Sequence, residues 1–69
     1  MQMTEELKGL IEEFDSCMQA GYDELAVGDT ELAEECFGDA CYVLNQIQDE
    51  ELVTQLANRY SIDPRDFGW

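Results

Sequence analysis

The chain has 69 residues, 45% of them apolar, and sets 17 Asp and Glu against three Lys and Arg, for a net charge of −14. That length allows one small domain, and an apolar content that includes three Phe, three Tyr and one Trp is too rich for a disordered acidic tail. Charge of this sign excludes nucleic acid and anionic membrane as direct partners and favours basic protein surfaces, including those that hold nucleic acid.

The imbalance is uneven. From Gly9 to Asn58 the chain has 13 carboxylates and no Lys, Arg or His. A domain this short draws only ~3–5 kcal/mol from a single core, and self-repulsion works against it. The tract therefore reads either as a surface with a use or as a solubilising coat.

The first segment reads as one long helix, about residues 4–27. Thr4 is the expected N-cap, with Glu5 and Glu6 in the first turn, where the helix dipole favours carboxylates. Leu7, Leu10, Ile11, Phe14, Cys17, Met18, Tyr22 and Leu25 recur at three- and four-residue steps and form its inner stripe. Gly28 suits the left-handed position after the helix.

Asp29 or Thr30 caps a second helix, about 30–47, with Leu32, Ala33, Cys36, Phe37, Ala40, Val43, Leu44 and Ile47 inward. Asp49 caps a third, about 49–60, with Leu52, Val53, Leu56, Ala57 and Tyr60 on its inner face. Ser61 to Trp69 forms a tail in which Asp63-Pro64 can start a single helical turn. Ile62, Phe67 and Trp69 are expected to fold back on the bundle, with Trp69 either a core anchor or an exposed binding aromatic. The expected fold is all-α, a three-helix bundle built on an antiparallel hairpin, within a single acidic helical domain spanning 1–69. The first helix, at ~36 Å, outreaches the second at ~27 Å, so the third helix and tail, or a second copy in a homodimer, must cover the remainder.

At about 100° per residue, Glu5, Glu12 and Asp23 form one row on the far side of the first helix, and Glu6, Glu13 and Glu24 another. Glu31, Glu34, Glu35 and Asp39 avoid the inner stripe of the second helix. Successive charges within a row stand ~10–17 Å apart. Surface helices ordinarily mix Lys with Glu at four-residue spacing, and within the Gly9–Asn58 tract those pairs are forgone. Gly38 and Tyr42 fall on the same acidic side, a small residue beside an exposed aromatic. The candidate partner-binding set is Glu12, Glu13, Asp23, Glu24, Glu31, Glu34, Glu35, Asp39 and Tyr42.

Catalytic chemistry has no signature. There is no Gly-rich phosphate loop, no HExxH, no nucleophile–His pair and no calcium loop. Glu12-Glu13 and Glu34-Glu35 would need a pocket to shift their pKa values, and three short helices seldom enclose one. No catalytic residue, metal ligand or cofactor is expected. Cys17, Cys36 and Cys41 lack CxxC spacing and fall on or beside apolar stripes, so they read as buried reduced thiols in a reducing cytoplasm. No secretory signal is visible at MQMTEELKGL, and no apolar run approaches a membrane span.

Residues 14–47 resemble one tetratricopeptide repeat, with Gly21, Gly28-Asp29, Ala33, Phe37 and Ala40 at its small and aromatic positions and Cys17, Glu24 and Asn45 departing from it. That resemblance implies an antiparallel helical hairpin, without the groove that about three repeats would build. Residues 51–69 resemble the first half of a helix-turn-helix reader whose recognition helix would start at Pro64, a role the net charge opposes. In size and charge the chain is similar to small acidic phage-encoded inhibitors that mimic DNA, of the anti-CRISPR and anti-restriction type. This likeness implies occupation of a basic nucleic-acid-binding groove in a host defence or DNA-processing complex. The rival expectations are a helical adaptor that binds through apolar surface, and an acidic antitoxin or chaperone of a basic partner.

Overall fold

A computed structural model describes residues 4–67. It is all-α: helix α1 spans Glu5–Ala26, α2 Thr30–Gln46 and α3 Glu50–Arg59, followed by a short 3-10 turn at Pro64–Phe67. The long helices α1 and α2 pair antiparallel as a hairpin, and α3 packs along one flank of it. The molecule measures 39 × 23 × 17 Å.

Each helix begins the same way. The side-chain oxygens of Thr4, Asp29 and Asp49 accept the backbone N–H three residues on, from Leu7, Leu32 and Leu52, each at 3.1 Å. Such a cap satisfies an N–H that the helix itself leaves unpaired and contributes roughly 0.5–2 kcal/mol. Asp29, and not Thr30, caps α2.

Helices α1 and α3 end by the same device. After α1, Gly28 N–H donates to the Leu25 carbonyl at 3.1 Å and Asp29 N–H to that of Glu24 at 2.9 Å. After α3, Ser61 N–H donates to Asn58 at 3.2 Å and Ile62 N–H to Ala57 at 3.0 Å. This double bond pattern needs a left-handed residue after the helix. Gly28 takes it at φ 84°, and Ser61 takes it at φ 56° against the clash of its own Cβ. Asp29 thus closes α1 with its N–H and opens α2 with its carboxylate, which makes the hairpin turn very short.

The core gathers Phe14, Met18, Ala40, Val43, Leu44, Ile47, Leu52, Val53 and Leu56, with Leu7, Leu10, Ile11, Phe37, Tyr60 and Ile62 partly buried against it. Burying a side chain of this size stabilises by ~1.5–3 kcal/mol. Leu7 and Leu10 therefore find cover at the start of α1 within one chain.

Two expectations are corrected. Tyr22, Leu25 and Leu32, placed inward by periodicity, are 41%, 44% and 44% exposed, because the bundle thins toward the hairpin turn and α3 stops short of it. Cys17, Cys36 and Cys41 are half-buried thiols outside any disulfide and not fully buried core residues. Asp63-Pro64 does open a turn, of 3-10 type, with the Asp63 carboxylate accepting from Arg65 N–H at 3.0 Å. The expected contacts of Phe67 and Trp69 lie outside the described side chains and residues.

Candidate functional site

The nine candidate residues stand on the hairpin's outer surface. Glu12, Glu13, Asp23, Glu31, Glu34, Glu35, Asp39 and Tyr42 are exposed and Glu24 is half-buried. Tyr42 is 69% exposed, and a β-carbon on Gly38, one turn before it, would meet no atom within 4 Å. Glycine there leaves an open notch beside the ring.

The structure divides these residues into separate surfaces. Glu13 of α1 and Asp39 of α2 both act on the Cys17 thiol, so they lie on one flank of the hairpin. Burial, the larger cause, and then these two carboxylates and Cys36 hold that thiol above its ordinary value. Asp15, two residues from Glu13 and so about 200° around α1, points to the opposite flank, where α3 packs. There its Oδ2 accepts from Arg59 at 2.7 Å and its Oδ1 accepts from the Tyr60 hydroxyl at 2.7 Å. Glu34 sits about 140° from Asp39 around α2, on the α3 side. The backs of the two helices, with Glu12 and Asp23 on one and Glu31, Glu35 and Tyr42 on the other, face away from each other. The carboxylates therefore wrap the hairpin on several sides.

Among the described residues none of the eight candidate carboxylates forms an ion pair, although Lys8 stands one turn before Glu12 on α1. Among the described residues the ion pairs are Arg59–Asp15 at 2.7 Å and Arg65–Asp63 at 3.1 Å. The Asp29 and Asp49 carboxylates are committed to helix caps. At the end of α1, Asp23 and Glu24 face the negative pole of the helix dipole, and no basic residue stands in that last turn. Local stability would place the opposite charge there.

The charge density approaches that of a duplex. A net −14 along a 39 Å axis is one charge per about 2.8 Å, against ~1.7 Å for double-stranded DNA. Among the described residues no three His, Cys, Asp or Glu side chains converge in a metal-binding arrangement. Among the described residues no helix is long and apolar enough to cross a membrane.

Sequence reasoning missed two features. The Asp15–Arg59–Tyr60 node joins residues more than forty positions apart and leaves no local signal. The apolar cluster at the hairpin turn was hidden because Tyr22, Leu25 and Leu32 obey the helical period of the core. Compared with protein-family models, with curated proteins and with solved structures, the chain matches none.

Proposed function

We propose that the protein is a binding inhibitor without catalytic activity, which presents its carboxylates to a basic nucleic-acid-binding groove and occupies that groove in place of DNA. One observation carries this reading: among the described residues the eight carboxylates form no ion pair, on a molecule whose net −14 amounts to one charge per about 2.8 Å of its length, against ~1.7 Å for a duplex. A surface selected for stability alone would interleave Lys at four-residue spacing and place cations at helix C-termini. Long-range attraction speeds encounter with the groove, and phosphate-contacting Lys and Arg then meet carboxylates.

The test is elution of captured partners. Immobilised protein is exposed to a host lysate, and bound proteins are released by rising salt or by duplex oligonucleotide. Both eluents are expected to release the same basic protein, and the Glu12→Lys/Glu31→Lys/Glu35→Lys variant is expected to capture none of it. Partners that resist both eluents and still bind the triple variant would overturn the reading. They would favour the rival, a helical adaptor working through apolar surface, which has its own observation in the exposed side chains around the hairpin turn.

A further inference from the structure

Four of the five large apolar side chains that stand exposed among the described residues fall within one short stretch across the α1–α2 turn. They are Tyr22 at 41%, Leu25 at 44%, Val27 at 76% and Leu32 at 44%. We infer that this end of the hairpin is a separate docking surface whose occupant is a basic amphipathic helix of a partner protein.

The surface is uncovered for a structural reason. Helix α3 ends at Arg59, and its capping residue Tyr60 reaches only as far as Tyr22, ring against ring at 6.1 Å. Beyond that point the last turn of α1 and the first turn of α2 have no third element on them. The backbone beneath is fixed: the paired bonds of Gly28 and Asp29 lock the turn, and the Asp29 carboxylate holds the start of α2. The apolar side chains are therefore presented on a scaffold that needs no ordering when a partner arrives.

Charge selects the occupant. Asp23, Glu24, Asp29 and Glu31 lie within the same stretch, which contains no cation. A second copy would bring the same acidic rim and the same net −14 against this one, and an anionic membrane would be repelled likewise. What fits is an apolar stripe flanked by Lys and Arg. A short amphipathic helix carries such a stripe on one continuous face. Helix-in-groove recognition of this kind uses anchors at helical spacing. The acidic rim shares Asp23 and Glu31 with the backs of the two helices, but the apolar anchors Leu25, Val27 and Leu32 lie outside the candidate carboxylate set, so substituting them separates this contact from occupation of a DNA groove.

The probe is a synthetic Leu/Lys peptide of about four helical turns, with Leu on one face, titrated into the labelled protein and followed by amide chemical shifts. An Ala/Lys peptide of equal charge is the control. The Leu/Lys peptide is expected to bind at least tenfold tighter than Ala/Lys, with shifts concentrated in residues 22–32 and binding that persists at high salt. Val27→Ser/Leu32→Ser should weaken it at least tenfold. Glu12→Gln/Glu35→Gln should change it less than threefold while impairing capture of a DNA-displaceable partner, which separates this surface from the proposed function. Equal binding of the two peptides, shifts spread along the acidic rows, or sedimentation as a dimer that hides Val27 would each overturn the inference. The peptide comparison uses the unaltered chain, so the test stands even where the double variant fails to fold.

Discussion

The ring of Phe37 occupies the space that a side chain at residue 21 would need. A β-carbon built on Gly21 would overlap Phe37 Cε1, far inside contact distance. Absence of a side chain lets the ring lie flat against α1, where it meets Tyr22 edge-on at 5.4 Å and 71°. Through this contact α1 and α2 approach closely in their upper half. Two of the positions that give residues 14–47 their tetratricopeptide likeness meet here.

Gly21→Ala is therefore expected to destabilise by about 1–3 kcal/mol through overpacking, even though alanine gains ~1 kcal/mol in helix propensity. Gly38→Ala, with open space around its β-carbon, should show the propensity gain alone. Urea unfolding of both variants checks the opposite signs. A gain at both positions would mean that Phe37 moves aside at no cost.

Tyr60 joins the core to the charged surface. Its ring packs edge-on against Phe14 at 5.7 Å while its hydroxyl donates to Asp15 at 2.7 Å. Tyr60→Phe keeps the packing and removes the bond, at a cost of about 0.5–1.5 kcal/mol. Burial first, and then the Asp15 hydrogen bond, push the phenol above its ordinary value of 10.0. Because the folded value is the higher one, the folded state retains the proton longer. Its contribution is complete below pH 10.0 and is lost as pH rises through the folded value. The gap in melting temperature between the native chain and Tyr60→Phe should be constant from neutral pH to mildly alkaline pH, then close. A gap that widened at high pH would contradict this.

Ser61 and Gly28 perform one task with different residues. At φ 56° the serine bears the strain that glycine at φ 84° avoids. Ser61→Gly should stabilise by up to about 1 kcal/mol, and Gly28→Ala should destabilise by about the same amount. Thermal melts of the two single variants measure it, and equal effects of the same sign would rule out the left-handed requirement.

Asp23 offers a direct test of whether charge is held against stability. It lies in the last turn of α1, where a cation interacts favourably with the helix dipole. Asp23→Lys should stabilise by about 0.3–1 kcal/mol at low salt, less at high salt, and at the same time weaken capture of the basic partner. Stabilisation with unimpaired capture would remove Asp23 from the binding surface.

Cys17 reports on the flank that Glu13 and Asp39 share. With its thiol held above the ordinary value by burial and then by those carboxylates, it should alkylate with iodoacetamide more slowly in the folded than in the unfolded chain. Asp39→Asn or Glu13→Gln should speed the reaction, as should added salt. Rates indifferent to all three would show that burial alone governs the thiol.

The residue pattern alone determined the three helices, their caps at Thr4 and Asp49, a cap for α2 at Asp29 or its neighbour Thr30, and the left-handed turn at Gly28. These features rest on interactions within one helical turn, so the residues that make them are neighbours in the chain. The outward placement of Glu12, Glu35 and Tyr42 was legible for the same reason, since a 3.6-residue period fixes which side a residue takes. Tertiary structure decided what that side would meet. Asp15 is one more carboxylate in the acidic tract until α3 brings Arg59 and Tyr60 onto it. Leu25 and Leu32 keep the period of the core yet stay exposed because α3 ends before it reaches them. The helical period places Gly38 outward, but that a side chain at Gly21 would collide with the Phe37 ring follows only from where that ring sits. Burial and charge compensation depend on where a distant element stops, and no local pattern carries that information.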